Sequence, residues 1–464
     1  MLNNKIFVFI NIPWIQSRKR KLLAIIFDFI ICYFLYNFLY FEEFKIYPNK
    51  IVTTSFTFFW IISSYVIGRY IGSVKFKLLN IFKSILKSLF LFVLCNLIYL
   101  IINWWIPLII FWDNSNIFSF GELNNFFFKI TFFIFIFSTT TQYLFGLITY
   151  KIYNKKRDWF FFGTEEKFLL ILEELNLNKK ETMIKWIPNY NELDKINFEN
   201  IKGIILGDLN LINDNNINTL LKLKLKGILV ESLPIWFEKK FHRIPTNVID
   251  NKFQLLDKIK KIEDNYQIRI KRCGDIIVSL ILIILTFPIL ILISALIYLE
   301  DRGPIFYQQK RTGVNGSIIK ILKFRSMKID AEKEGIQWAQ KSDPRITKIG
   351  SIIRALRIDE LPQLLCVIKG DMSLIGPRPE RPEIEKEKLK KIPYYSSRYI
   401  IKPGISGWAQ VNYPYGASVK DTAKKLSYDI YYISHFSILL DLLILLKTIK
   451  IVINAKNFYP KNIK

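Results

Sequence analysis

The chain has 464 residues, 51% hydrophobic and 16% aromatic, with a formal net charge of +27 and a mean hydropathy of +0.22. It is too apolar for an ordinary soluble protein and long enough for two or three domains. Its four cysteines lack metal-ligand spacing and read as reduced structural residues; with only His242 and His435, a histidine metal site or catalytic triad is not expected.

A basic N-terminal segment, Arg18-Lys19-Arg20-Lys21, precedes an apolar run at 22–40, and further runs follow at about 51–72, 88–111 and 127–150. Each is long enough to cross ~30 Å of hydrocarbon. No small-residue cleavage site follows the first, so a signal peptide is not expected. Lys75, Lys77, Lys83 and Lys87 mark the 73–87 loop as basic, whereas 112–126 holds Asp113 and Glu122 and no lysine or arginine. Lys151, Lys155, Lys156 and Arg157 follow the last run. This pattern predicts a four-helix transmembrane domain over 1–156 with both ends cytoplasmic.

Residues 157–262 read as a Rossmann-like α/β domain. A strand at 159–162 ends at Gly163, a helix crosses 165–176, and short apolar runs at 184–187, 203–206 and 227–230 alternate with polar helical stretches. The G-x-G-x-x-G fingerprint is absent, so no dinucleotide cofactor is expected and the domain reads as regulatory or structural.

Lys271, Arg272 and Asp275 then open an apolar run over 276–299 that Pro288 interrupts. Basic residues flank both ends, and a mid-run proline breaks a helical hydrogen bond. The run reads as a re-entrant membrane hairpin returning to the cytoplasmic face, a kinked span being the alternative. The last apolar stretch, 436–454, contains Asp441, Lys447 and Lys450 and reads as an interfacial or packed helix. Residues 263–464 are thus a re-entrant helix followed by an α-rich catalytic domain.

The chemistry concentrates in that last part. Nine of the 16 arginines lie between Arg302 and Arg398, although lysines number 50, and ten of the 19 glycines lie between Gly303 and Gly416. Guanidinium forks bind phosphate bidentately, and lysine replaces them poorly there. At the centre stands Arg357-Ile358-Asp359-Glu360-Leu361-Pro362-Gln363-Leu364. Pro362 suits the first position of a helix running to Gly370, which predicts both carboxylates at a helix N-terminus. Upstream, Ile349, Ile352, Ile353 and Leu356 recur at helical spacing and leave Arg354 and Arg357 off the apolar face. Carboxylates ringed by arginine suit Mg²⁺ and phosphate; the alternative is a helix end with ordinary surface ion pairs.

From Lys271 onward, over some 40% of the chain, the sequence resembles the bacterial sugar transferases, the polyprenyl-phosphate hexose-1-phosphate transferases. The motifs, in order, are Lys271-Arg272-x-x-Asp275, the proline-broken apolar run, Lys323-Phe324-Arg325-Ser326-Met327 and Asp343-Pro344-Arg345. Asp359-Glu360-Leu361-Pro362-Gln363, Gly376-Pro377-Arg378-Pro379-Glu380 and Lys402-Pro403-Gly404-Ile405-Ser406-Gly407-Trp408 follow. The front end resembles the long form of the family, and Asn412-Tyr413-Pro414-Tyr415-Gly416 an exopolysaccharide-type subgroup. Many members have serine where this chain has Phe287, and Ser-Leu where it has Arg357-Ile358.

The resemblance implies an enzyme of the bacterial inner membrane with its catalytic domain on the cytoplasmic face. It would use Mg²⁺ to pass a hexose 1-phosphate from a nucleotide-diphosphate sugar, a UDP-hexose, to undecaprenyl phosphate. It further implies Asp359 as nucleophile, Glu360 as metal ligand or positioning partner and Arg378 as phosphate clamp. Arg325, Arg354, Arg357 and Lys323 are further phosphate-binding candidates, and Asp429 a candidate for metal or sugar. A homo-oligomer is left open. A membrane-tethered dehydratase would need the missing fingerprint. Nucleic-acid binding predicts basic patches interleaved with exposed aromatics rather than an acidic pair among arginines. A non-enzymatic scaffold for polysaccharide assembly is the alternative kept.

Overall fold

The computed structural model describes residues 18–70, 85–97, 120–153, 158–177, 182–195, 201–248, 266–331, 343–413 and 418–453, together with Ile15 and Tyr99. The chain divides into two compact units, Met1–Lys156 and Arg157–Lys464.

The first unit is helical: α1 (Lys19–Phe44), α2 (Lys50–Ile67), α3 (Ile85–Leu97) and α4 (Phe120–Tyr153). Segments of α1, α2 and α4 are long and apolar enough to cross a membrane. Of the expected third run only α3 and Tyr99 are described, so the rest of 88–111 and most of both intervening loops lie outside the described residues. The helices close on Tyr36, Trp60, Leu91, Phe126 and Ile130. One charged pair is sealed among them. Arg69 Nη2 donates to Asp28 Oδ2 at 2.7 Å, and Tyr70 adds its hydroxyl to the same oxygen.

The second unit begins with a four-stranded parallel sheet: β1 (Asp158–Phe162), β2 (Ile184–Ile187), β3 (Ile201–Leu206) and β4 (Leu229–Ser232), in the order β2-β1-β3-β4. The register pairs Phe161 with Trp186 and with Ile205. Helices α5 (Glu165–Leu177), α6 (Asp214–Leu225) and α7 (Leu233–Phe241) cover it. One face packs Trp159, Phe161, Trp236 and Phe237, and the other Phe160, Phe162, Ile204 and Leu220. Beyond β1, the N–H of Thr164 donates to Asp208 Oδ2 (3.0 Å), and Lys167 Nζ lies 2.6 Å from Asp208 Oδ1. A carboxylate of the chain itself therefore takes the position where a helix start would face a phosphate.

The remainder opens with α8 (Tyr266–Asp301), the fourth segment long and apolar enough to cross a membrane. It is one helical run containing Pro288, not two helices separated by a turn. The antiparallel pair β5 (Phe306–Thr312) and β6 (Ile318–Phe324) follows, matching Tyr307 with Lys323. Then come α9 (Lys348–Ala355), α10 (Gln363–Lys369), β7 (Ser373–Ile375), α11 (Pro382–Lys391), β8 (Gly404–Ser406), α12 (Trp408–Asn412), α13 (Val419–Ser434) and α14 (Ile438–Ile453). β7 and β8 pair in parallel. Of the Asn412–Gly416 motif, positions 414–416 lie outside the described residues.

The Lys271-Arg272-Asp275 motif anchors α8 to this body. Lys271 Nζ meets Asp441 Oδ2 on α14 at 2.6 Å. Arg272 donates to Val367 O and, at 2.7 Å, to Ile368 O, capping two carbonyls at the C-terminal end of α10. Asp275 accepts from Ser373 Oγ (2.8 Å) and Leu374 N (3.3 Å) on β7. At its other end Glu300 accepts from the N–H of Lys348 and Ile349, and Ile293 and Ile297 pack against Phe324 and Ile353. In the 436–454 stretch α14 packs one face, with Leu440 and Ile444 buried, and leaves Leu439 and Leu442 exposed.

Candidate functional site

Three chain segments converge on one carboxylate. Thr347 caps α9 through Gly350 N at 2.9 Å. The helix ends where Arg357 takes φ 61°, the left-handed region that few non-glycine residues enter. That reversal leads into a single 3₁₀ turn, Ile358–Glu360. Glu360 is buried there, and Arg378 Nη2 donates to its Oε1 at 2.6 Å. Lys323 Nζ, near the end of β6, lies 3.5 Å from the same oxygen, and Arg357 Nη1 lies 3.6 Å from Oε2. Asp359 sits beside this cluster, partly exposed and without an ion pair among the described residues.

Arg378 is presented by a loop whose carbonyls are all held from outside. Pro377 O accepts from Gly404 N (2.9 Å), Arg378 O from Arg398 Nη2 (2.7 Å), Pro379 O from Arg311 Nη1 (3.1 Å) and Glu380 O from Thr312 N (3.0 Å). The two prolines contribute no N–H and fix φ, so the backbone beneath the guanidinium has little freedom. Gly376 opens this loop because a Cβ there would lie 2.3 Å from Lys402 O.

The two carboxylates are driven apart electrostatically. Burial and then the neighbouring Glu360 charge push Asp359 up to about 6, against Lys323, Arg354 and Arg378. Burial alone would raise Glu360 too, but Arg378, Lys323 and Arg357 outweigh it and hold that carboxyl well below the usual range. Burial pulls Lys323 down, with Glu360 opposing, while Glu360 holds the Arg378 guanidinium firmly charged. Adjacent carboxylates with opposed shifts can take different roles.

The expected residues divide accordingly. Asp359, Glu360, Lys323, Arg357 and Arg378 come together, and Arg354 acts on Asp359 through its charge. Arg325 does not join them: it is buried against Asp301 at the end of α8. Asp429 is buried too, and Arg398 Nη2 faces its Oδ2 at 3.2 Å, so it stands one layer behind the loop of Arg378. The expected helix is present and stops at Gly370, but Pro362 is its cap rather than its first residue, and the carboxylates lie in the 3₁₀ turn before it, where Arg378 pairs with Glu360. Arg311 and Arg398 were not singled out in the sequence; they belong to the arginine-rich stretch, but no local spacing marks them.

Among the described residues no three acidic, cysteine or histidine side chains gather as a metal cluster. Mg²⁺ commonly takes one or two carboxylates plus phosphate oxygens, and the oxygens of Asp359 have no ion pair among the described residues. The donor set therefore fits a cation shared with a phosphate substrate, the carboxylate oxygens being those of the Asp359-Glu360 pair, with Glu360 Oε1 already bonded to Arg378.

The family model described as bacterial sugar transferase matches residues 266–455. The UDP-N-acetylgalactosamine-undecaprenyl-phosphate N-acetylgalactosaminephosphotransferase of Aeromonas hydrophila is 48% identical over 186 residues, 40% of this chain and 44% of that protein. The UDP-glucose:undecaprenyl-phosphate glucose-1-phosphate transferase of Caulobacter vibrioides is 39% identical over 191 residues, 41% of this chain and 72% of that one. The exopolysaccharide production protein PSS of Rhizobium leguminosarum is 37% identical over 186 residues, 39% of this chain and 93% of its own length. The match thus spans less than half of the first of these relatives.

Proposed function

We propose that this chain, which belongs to the bacterial sugar transferase family, transfers a sugar 1-phosphate from a UDP-sugar to undecaprenyl phosphate, the first step of exopolysaccharide or O-antigen assembly. The observation carrying this reading is the split pair: Glu360 locked by Arg378 and Lys323, and Asp359 beside it unpaired. Asp359 Oδ attacks the phosphorus that bears the sugar. The bond between the two phosphates breaks, and nucleoside monophosphate departs. An oxygen of the lipid phosphate then attacks the aspartyl-bound phosphorus, freeing the carboxylate and forming the lipid-linked diphosphate sugar. Arg378, with Lys323, holds the transferring phosphate, and Glu360 holds Arg378 in place. Mg²⁺ would be held by the pair chiefly through Glu360, so that the Asp359 carboxylate stays available to attack, and when bound would neutralise pyrophosphate charge.

A lipid acceptor suits the surroundings. Ile352, Leu356 and Leu365, on the elements that bracket Asp359, are each more than half exposed. No observation favours the scaffold alternative. The test is sugar-phosphate transfer by the full-length protein over a panel of UDP-hexoses and UDP-N-acetylhexosamines. One substrate should be turned over by wild type and not by Asp359→Ala; turnover by neither contradicts the reading.

The same proposal places α8 re-entrant, entering and leaving by the cytoplasmic face. A straight helix of this length is about 54 Å long. Docked at both ends, it would lie with its middle against the body. Instead Asp275, Ser279, Ile293 and Ile297 are buried while Ile284, Leu285 and Phe287, around Pro288, stand exposed. This supports a bend at Pro288 whose apolar apex enters the bilayer. Cysteines placed at Tyr307 and Ile318, with Cys273 replaced, should resist an impermeant thiol reagent in intact cells and react after permeabilisation. Ready labelling from outside contradicts the topology. The β2-β1-β3-β4 order likewise supports a doubly wound, Rossmann-like reading of the middle sheet.

A further inference from the structure

Helix α13 lies between the parallel-sheet part and the active-site loop, and its two faces have different partners. Lys424 Nζ meets Glu174 Oε1 at 2.6 Å, and Glu174 Oε2 is 2.7 Å from Arg243 Nη2. The N–H of Ile244 donates to the carbonyl of Ser427 (2.8 Å), and Arg243 Nη1 donates to its Oγ (3.4 Å). The Tyr431 ring lies 5.9 Å from that of His242, and His435 Nε2 lies 2.9 Å from Glu238 Oε1. Positions 424, 427, 431 and 435 form one helical stripe, all of it against residues 174–244. Asp429 projects about 140–160° round the helix from Lys424 and Ser427, and there it holds Arg398, which holds the carbonyl of Arg378.

We propose that the parallel-sheet part positions the phosphate clamp: Glu174 and Arg243 seat one face of α13 so that Asp429 and Arg398, on the other, fix the loop carrying Arg378. None of these four residues touches substrate; each is a positioning residue acting through Arg378. The family match, residues 266–455, contains α13 but not Glu174 or Arg243. The Rhizobium relative, spanned over 93% of its length by 186 matched residues, has no length for a domain like this one. The brace is therefore an addition of the longer chain, and the sheet gains a role that needs no ligand.

The inference rests on the transferase reading, and the test separates the two. Full-length wild type, Glu174→Gln, Asp429→Asn and the double variant are compared for kcat and KM toward the accepted UDP-sugar, with hydrogen exchange followed at Gly404, whose N–H is held by Pro377 O. Each single variant should lose at least about tenfold in kcat/KM, with KM rising, and should exchange faster at Gly404. The double variant should be no worse than the poorer single, because both changes break one chain of contacts. If Glu174→Gln does not fold, Ser427→Ala, which removes the hydrogen bond from Arg243 and one to the carbonyl of Lys424 on the same helix, should still raise KM about threefold. Losses that multiply in the double variant overturn the proposal, as do variants that melt earlier yet keep wild-type KM and exchange. If wild type itself transfers nothing, the transferase reading falls, and exchange at Gly404 alone decides whether the coupling exists.

Discussion

Asp359→Asn should abolish transfer, lowering kcat by on the order of 10⁴–10⁶-fold, as removal of a covalent nucleophile does. The amide keeps the size of the side chain, and among the described residues Asp359 has no ion pair to lose, so thermal stability should stay near wild type. That combination distinguishes a reacting group from a structural one. Glu360→Gln should behave differently. It breaks the 2.6 Å pair and leaves Arg378 and Lys323 without their shared anion, costing stability as well as rate. The pH profile carries a further signature. Asp359 reacts as the carboxylate, and its value is pushed up to about 6. kcat/KM should therefore be full above that pH and fall about tenfold per unit below it, the acid limb belonging to the coupled pair. Removing the Glu360 charge, an upward influence on Asp359, should move this limb to lower pH. A limb that stays in place in Glu360→Gln contradicts the assignment.

The second large effect is at Arg378. Arg378→Lys keeps the charge but loses the fork, and kcat should fall about 10²–10³-fold. Its acid limb should stay close to wild type, because the positive charge that helps hold Asp359 down remains. Arg378→Met should lose at least as much rate and also move the limb to higher pH. Steady-state kinetics from pH 5 to 8 on the three proteins checks both statements. A lysine variant with near wild-type turnover removes Arg378 from the phosphate site.

Much of this was legible because it is written locally. Apolar runs mark the membrane-length helices. The alternation of short strands with polar helices marks the parallel sheet, with β2 falling on the expected 184–187. The Asp359-Glu360 pair stands out among arginines. What stayed hidden depends on contacts distant in sequence. Arg325 lies in the same motif as Lys323, two residues along, yet its guanidinium turns to Asp301 while Lys323 reaches Glu360. Asp429 looked like a site carboxylate because the sequence does not show that Arg398, 31 residues earlier, covers it. The link of Glu174 to Lys424 spans 250 residues and left no local trace. The sequence placed the pair at the start of α10; the carboxylates lie in the 3₁₀ turn just before it, where Glu360 is paired with Arg378 from a loop 18 residues on.

The central claim is a sugar phosphate held covalently on Asp359, and it is tested most directly by leaving out the lipid acceptor. Purified protein incubated with Mg²⁺ and the accepted UDP-sugar, labelled in the sugar, should release close to one equivalent of UMP. It should retain the label on the peptide containing Asp359, readable by mass spectrometry after rapid acid quench. Adding undecaprenyl phosphate should discharge that label into lipid. No retained label and no UMP until the lipid is present would mean direct attack by the lipid phosphate, and would contradict the account.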